Sequence, residues 1–103
     1  MKIVKKKLLR IFTSEDKKKG GKPYYKFILE KAREYGLEGA TVFRGIGGYG
    51  REGYIREEGF FKLRSSLPIV IEIIDEEEKI RKFLEEVKEG ELITLEDVEV
   101  IYL

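Results

Sequence analysis

The residues most suited to chemistry lie in one glycine-rich segment, residues 44–51, which reads Arg-Gly-Ile-Gly-Gly-Tyr-Gly-Arg. Glycines let a backbone turn sharply or approach a ligand closely. Successive N–H groups in such a segment can form an anion-binding concavity, and flanking arginines pair readily with phosphates and carboxylates. We therefore expect a site for an anionic ligand, with a plain hairpin loop as the alternative. The candidate ligand-binding residues are Arg44, Gly45, Gly48, Gly50 and Arg51.

Neither this segment nor the lysine-rich residues 17–22 fits a specific phosphate-binding fingerprint. Residues 45–50 match the spacing G-x-G-x-x-G, but they do not open a helix in a parallel βαβ unit, so a dinucleotide-binding site is disfavoured. Residues 17–22 precede a predicted helix start, where N–H groups and lysines could receive a phosphate. They lack the spacing of a P-loop, and we favour a solvated loop there.

Catalysis finds little support in the composition. The chain contains no histidine and no cysteine, which removes the commonest general base, the commonest metal ligand and every thiolate. The few serine and threonine hydroxyls have no recognisable spacing to a base. Glu72 lies in an apolar strand, where we expect it to pair with a lysine or arginine at a subunit contact. We predict no catalytic residue and no metal ligand.

Length and charge indicate one domain spanning residues 1–103, without a polyanionic partner. The 21 Lys and Arg residues nearly balance the 20 Asp and Glu residues, and the net charge of +1 disfavours nucleic-acid binding. High, balanced charge without Asn, Gln or Cys is typical of proteins adapted to high temperature. No apolar stretch approaches the ~20 residues of a membrane span, so we expect a cytoplasmic protein.

Hydrophobic periodicity predicts a βαββαβ order of elements. In chain order these are a strand over 5–12, a loop over 13–22, a helix from Pro23 to a stop at Gly36, a strand over 39–45, a long loop or irregular hairpin to residue 63, a strand over 69–74 opened by Pro68, a helix with Asp75 as N-cap, Glu78 at its third position and Gly90 as stop, and a strand over 98–102.

This order predicts an α+β, ferredoxin-like sandwich, in which two helices cover one face of a four-stranded antiparallel sheet. The almost unbroken apolar run over 69–74 indicates a central strand that is buried on both faces. Because no helix remains for the second face, we expect another copy of the chain to cover it, and hence a homo-oligomer. RNA-recognition motifs share this order, but they stack bases on aromatic residues that the 69–74 strand lacks.

The chain resembles the PII signalling proteins, and more closely their small prokaryotic relatives known as domain of unknown function 190. The resemblance covers nearly the whole chain. It is carried by Gly21-Lys22-Pro23-Tyr24, Ala32-Arg33, Gly36-Leu37, Gly39-Ala40-Thr41-Val42, Arg44-Gly45, Gly48-Tyr49-Gly50-Arg51, Leu67-Pro68 and Leu95-Glu96-Asp97-Val98.

The resemblance implies a ferredoxin-like homotrimer whose sheets face one another at the centre. It also implies an adenine nucleotide, such as ATP or ADP, bound between subunits near Gly48, Gly50 and Arg51. The loop over residues 45–61 would then act on an unknown target protein. The loop residues expected to contact that protein are Tyr49, Tyr54, Phe60 and Phe61.

Departures from the PII pattern restrict what carries over. Glu52 stands where PII proteins have a glutamine that helps to hold a metal ion with ATP, and Ile69 stands where they commonly have a lysine. Residues 90–94 replace their phosphate-binding Gly-Asp-Gly-Lys, and the Arg-containing C-terminal extension is missing after Leu103. The first hypothesis is therefore a PII-like regulator. A ligand-independent oligomeric interaction module is the alternative, and a small phosphohydrolase comes last.

Overall fold

The computed structural model describes residues 1–59, 66–87 and 92–103. Four long strands in this part of the chain pair antiparallel in one sheet, which has the ferredoxin-like α+β architecture and confirms the predicted fold class. The elements in chain order are β1 (Lys2–Ser14), β2 (Lys18–Lys19), β3 (Lys22–Pro23), α1 (Tyr24–Glu34), β4 (Ala40–Arg44), β5 (Gly47–Gly48), β6 (Arg56–Glu57), β7 (Pro68–Asp75), α2 (Glu77–Glu86) and β8 (Leu92–Tyr102).

The core lies between one face of the sheet and the helices α1 and α2. The sheet order is β4-β7-β1-β8, so β7, which contains the apolar run 69–74, is an interior strand as predicted. Alternate residues of β1 and β7 point into the core, since successive strand residues face opposite sides. Each fully buried side chain of this kind contributes about 1.5–3 kcal/mol to stability. The core side chains include Leu9, Ile11, Tyr24, Ile28, Ile71, Ile73, Ile80 and Phe83.

Helix α1 ends as predicted and begins one residue later than predicted. Pro23 is its N-cap, with φ −55° and ψ 137°, rather than its first helical residue. Gly36 adopts φ +72°, a left-handed conformation that favours glycine. The N–H of Leu37 donates to the Ala32 carbonyl at 3.1 Å, and the N–H of Gly36 donates to the Arg33 carbonyl at 3.1 Å. This pattern closes the helix.

The prediction that Asp75 caps α2 is wrong. Asp75 is the last residue of β7, where it pairs with Lys7 of β1, and the N-cap is Glu76, which makes no side-chain capping bond. The carboxylate of Asp75 is buried and accepts from the N–H of Glu38 at 2.9 Å and from the N–H of Glu76 at 2.7 Å. Asp75 therefore fastens the segment before β4 to the end of β7. Glu78 is the second residue of α2 rather than the third, and the predicted stop at Gly90 lies outside the described residues.

The sheet face opposite the helices is exposed in the single chain and carries an apolar row. Strand register places Phe43, Val70, Phe12 and Leu92 side by side across the four long strands. Phe43 is 51% and Leu92 55% exposed. The next row is charged, because Arg10 donates to Glu72 at 2.9 Å and to Glu96. Glu72 thus pairs with an arginine of its own chain.

Candidate functional site

The glycine-rich segment forms an irregular hairpin, which is one of the two shapes predicted for it. Gly47 and Gly48 of β5 pair with Glu57 and Arg56 of β6, and the N–H of Glu58 donates to the Ile46 carbonyl at 3.0 Å. At the far end, the N–H of Gly53 donates to the Gly50 carbonyl at 3.0 Å. Gly53 has φ +80°, which a residue with a Cβ rarely adopts. The hairpin therefore has a defined turn at residues 50–53.

Gly45 and Gly48 pack against the ring of Pro68. A Cβ on Gly45 would lie only 2.7 Å from Pro68 Cγ, and a Cβ on Gly48 would lie 3.3 Å from the same atom. The N–H of Gly45 donates to the Pro68 carbonyl at 2.7 Å. Close packing at the base of the hairpin thus disfavours a side chain strongly at Gly45 and more weakly at Gly48. The N–H of Gly45 has a protein partner, so it is not open to a ligand.

The two predicted arginines lie in different surroundings. Arg44, the last residue of β4, donates through Nε to Glu15 Oε2 at 2.5 Å and through Nη2 to Glu15 Oε1 at 3.4 Å. Arg51 lies in the turn beside Gly50, and its side chain is exposed. The structure therefore brings Arg44, Gly45 and Gly48 together at the hairpin base and places Gly50 and Arg51 at the turn.

Glu15 lies at the base of the hairpin, and the sequence analysis did not identify it as a site residue. It follows β1 directly and bonds to both ends of the segment that contains the hairpin. Its N–H donates to the Leu67 carbonyl at 2.9 Å, and its Oε1 accepts from the Leu67 N–H at 3.3 Å. The hydrogen bond from Arg44 is the main cause that holds the pKa of Glu15 below its ordinary value, since this bond favours the charged carboxylate.

Asp16 is a second carboxylate at the same base. Its N–H donates to Ser66 Oγ at 3.4 Å, and its Oδ1 accepts from Ser14 Oγ at 2.8 Å. Arg56 Nη1 lies 3.8 Å from Asp16 Oδ2 and donates to the Ser66 carbonyl at 3.4 Å. Hydrogen bonding to Ser66 and then to Ser14 lowers the pKa of Asp16. Glu15 and Asp16 therefore contact Arg44 and Arg56, one cation on each side of the turn.

The hairpin exposes apolar side chains. Tyr49 is 75% and Tyr54 70% exposed, and Ile46 and Ile55 are exposed as well. The other predicted contact residues, Phe60 and Phe61, lie outside the described residues.

The described residues offer neither of two other kinds of site. Residues 1–59, 66–87 and 92–103 contain no group of His, Cys, Asp and Glu side chains arranged to hold a metal ion. No helix within those ranges is long and apolar enough to cross a membrane.

Comparison with solved structures gives the class of fold. The chain superimposes on CPII of Thiomonas intermedia K12, described as a nitrogen regulatory PII-like protein bound to ADP, AMP and bicarbonate. The TM-score is 0.71 at 21% identity, over 96% of this chain and 91% of that one. A putative PII-like signaling protein of Thermus thermophilus superimposes with a TM-score of 0.68 at 21% identity, over 98% and 94% of the two chains. The fold is that of the PII-like proteins.

Sequence comparison gives the family. The model of the DUF190 family, described as an uncharacterized ACR, matches residues 6–100. A UPF0166 protein of Aquifex aeolicus is 69% identical over the full length of both chains. A UPF0166 protein of Methanocaldococcus jannaschii is 38% identical over 95% of this chain and 94% of its own. The chain belongs to the DUF190 family, and the resemblance inferred from the sequence is confirmed.

Proposed function

We propose that this protein is a PII-like regulator without catalytic activity, acting as a homotrimer in the cytoplasm. An adenine nucleotide, ATP or ADP, binds in the cleft between subunits near Gly48, Gly50 and Arg51. Bound ligand orders the hairpin, which then contacts a partner protein. A ligand shifts the hairpin population only by its differential affinity for the ordered and less ordered forms.

One observation carries this proposal: a glycine-built hairpin exposes apolar side chains while charged groups fasten its base. Exposed tyrosines such as Tyr49 and Tyr54 are typical of protein contacts, because one end is apolar and the other can accept a hydrogen bond. Arg51 adds a cation at the turn. The likeness to CPII, whose structure holds ADP, AMP and bicarbonate, supports an adenine nucleotide as the ligand.

The apolar row on the open sheet face supports the trimer. Contiguous exposed apolar patches mark protein contacts, whereas scattered apolar residues do not. Light scattering after gel filtration should give three times the 12.1 kDa chain mass. Phe43→Asp places a charge in the row and should reduce the mass to that of one chain. Tyr54→Asp, on the hairpin, should leave the trimer intact.

Isothermal calorimetry tests the ligand. ATP, ADP, AMP and cyclic dinucleotides are titrated into the purified protein, with and without Mg²⁺. We expect a micromolar dissociation constant, or about −8 kcal/mol, for at least one adenine nucleotide. Arg51→Ala should weaken binding about tenfold, because one charge-assisted contact to a phosphate is lost. Arg33→Ala, an exposed arginine on α1, is the matched control and should bind as the wild type does.

A second candidate function, a ligand-independent oligomeric interaction module, is favoured by the hairpin base. Gly45 and Gly48 pack on Pro68, and Arg44 is paired with Glu15. The predicted ligand residues at the base therefore have structural roles of their own. Absence of binding by every nucleotide, together with an intact trimer, would favour this module over the sensor.

A further inference from the structure

Glu15 occupies the place at Arg44 that an anionic ligand of the hairpin base would take. A guanidinium offers five N–H donors in a fixed plane and pairs side-on with a carboxylate or a phosphate. Glu15 accepts from Nε and Nη2 of Arg44, so both of its oxygens lie on one edge of the guanidinium. A phosphate group presents the same paired oxygens to the same edge.

The ion pair between Glu15 and Arg44 is open enough to be exchanged. The Arg44 side chain is 49% exposed and that of Glu15 29% exposed, and ion pairs with such solvent access contribute little to stability. The same contact raises the pKa of Arg44 and lowers the pKa of Glu15, so both groups are charged at neutral pH. An incoming polyphosphate carries more charge than one carboxylate and can replace it at Arg44.

Glu15 also accepts a hydrogen bond from the Leu67 N–H, so an exchange of its partner at Arg44 would affect how the hairpin segment is held. Oε1 accepts from both Arg44 and the N–H of Leu67. The carboxylate thus joins the end of β4 to the start of β7, the two strands between which the hairpin lies. If Glu15 releases Arg44, it retains its backbone bonds to Leu67, and only one end of the hairpin segment is freed.

We propose that Glu15 is a built-in competitor for the anionic ligand: it neutralises Arg44 in the ligand-free protein and thereby sets how strongly anions bind there. This inference rests on the proposed function, and it adds the assumption that the anion bound near Gly48 also reaches Arg44 at the hairpin base. It adds a residue that sets the affinity of the site for anions, because every ligand that must displace Glu15 is weakened by the same factor.

Calorimetry with ADP, AMP and inorganic pyrophosphate on Glu15→Gln tests this inference. Glutamine keeps an oxygen that can accept from the Leu67 N–H but removes the charge from Arg44. We expect all three probes to bind about three- to tenfold more tightly to Glu15→Gln, the range that corresponds to about 0.7–1.4 kcal/mol. AMP should gain no more than ADP and pyrophosphate, because removing Glu15 relieves every ligand that must displace it by the same factor.

The controls separate direct competition from a general change in charge. Asp16→Asn removes the same charge from the next residue while leaving Arg44 paired, and should change affinity by less than twofold. In an Arg44→Ala background, Glu15→Gln should give no further gain, since the contested cation is absent. Glu15→Asp, which keeps the charge on a shorter side chain, gives a second variant with an intermediate gain should Glu15→Gln fold poorly.

The outcomes also separate this inference from the proposed function. Wild-type binding with an equal or weaker affinity in Glu15→Gln overturns the competition and leaves the nucleotide-binding proposal standing. Binding by Glu15→Gln alone supports the competition directly. Absence of binding by both proteins overturns the nucleotide-binding proposal and the competition together.

Discussion

Replacing Gly45 by alanine tests the packing that fixes the hairpin base. The new Cβ would lie 2.7 Å from Pro68 Cγ and 3.4 Å from the Pro68 carbonyl oxygen. Carbon atoms in contact prefer about 3.5–4.0 Å, so the two backbones must separate by about 1 Å. Overpacking of this kind lowers the free energy of unfolding by about 1–3 kcal/mol. We expect about 2 kcal/mol, because Pro68 lies in a sheet strand and has a rigid ring.

Guanidinium unfolding, followed by circular dichroism at one protein concentration, measures this change. With a denaturant slope of about 2–6 kcal/mol/M, Gly45→Ala should lower the midpoint by about 0.3–1 M. Gly39→Ala is the matched control, since no heavy atom outside its neighbours lies within 4 Å of a Cβ there. Pro68→Ala removes the ring atom, so Gly45→Ala should cost much less in that background. Equal midpoints for the Gly45 and Gly39 variants would refute the reasoning.

Three further substitutions should change the free energy of unfolding, or its dependence on pH, in a direction that follows from the structure. Asp75→Ala should lower the free energy of unfolding by about 1–3 kcal/mol, because two backbone N–H groups lose their acceptor; a midpoint equal to the wild type's would contradict this. Thr13→Val should raise it by about 1 kcal/mol, since the buried hydroxyl has no hydrogen-bond partner among the described residues; a lower melting temperature would count against it. Glu15 has a pKa lowered by folding, so its contribution is present above about pH 4 and is lost as the pH falls through the folded-state pKa. Glu15→Gln should therefore lose less stability than the wild type between about pH 5 and pH 2, and parallel unfolding curves would exclude this role.

A helix or strand is predicted well from the sequence where the pattern that indicates it lies within the element itself. The apolar run over 69–74 and the helical spacing after Pro23 place β7 and α1 within two residues of their observed bounds. Strands β1 and β8 are longer than predicted, and charged side chains in the added residues of β8 pair across the two strands, as between Lys7 and Asp97. Such compensation appears only once the register is known.

The full length of strand β8 is not apparent from the sequence for a second reason. Ile93 and Leu95 lie opposite core residues of β1, whereas Val98 and Val100 lie opposite Lys6 and Val4 on the other face. The apolar alternation therefore changes face within one continuous strand. An interpretation by period two therefore begins the strand only at Val98 and misses residues 92–97.

The site, like the fold, is only partly predictable from the sequence. A glycine cluster between two strands is visible in the sequence, and it predicts the hairpin. The residues that fasten the hairpin, Glu15, Asp16 and Pro68, come from the end of β1 and the start of β7. Glu15 meets Arg44, Asp16 meets Arg56 and Pro68 meets Gly45 only because the antiparallel sheet brings these strand ends to one edge. Their roles are therefore set by topology rather than by any motif around them.

Hydrogen exchange with and without ADP tests the central claim most directly, because it reports binding, its location and its effect on the hairpin together. The protein is incubated with excess ADP, and exchange is followed by mass spectrometry over peptides that cover residues 44–59 and 66–75. We predict slower exchange over 44–59 in the presence of ADP and unchanged exchange in the core of α2. Identical exchange over 44–59 with and without saturating ADP would contradict the claim that an adenine nucleotide binds near Gly48, Gly50 and Arg51 and orders the hairpin.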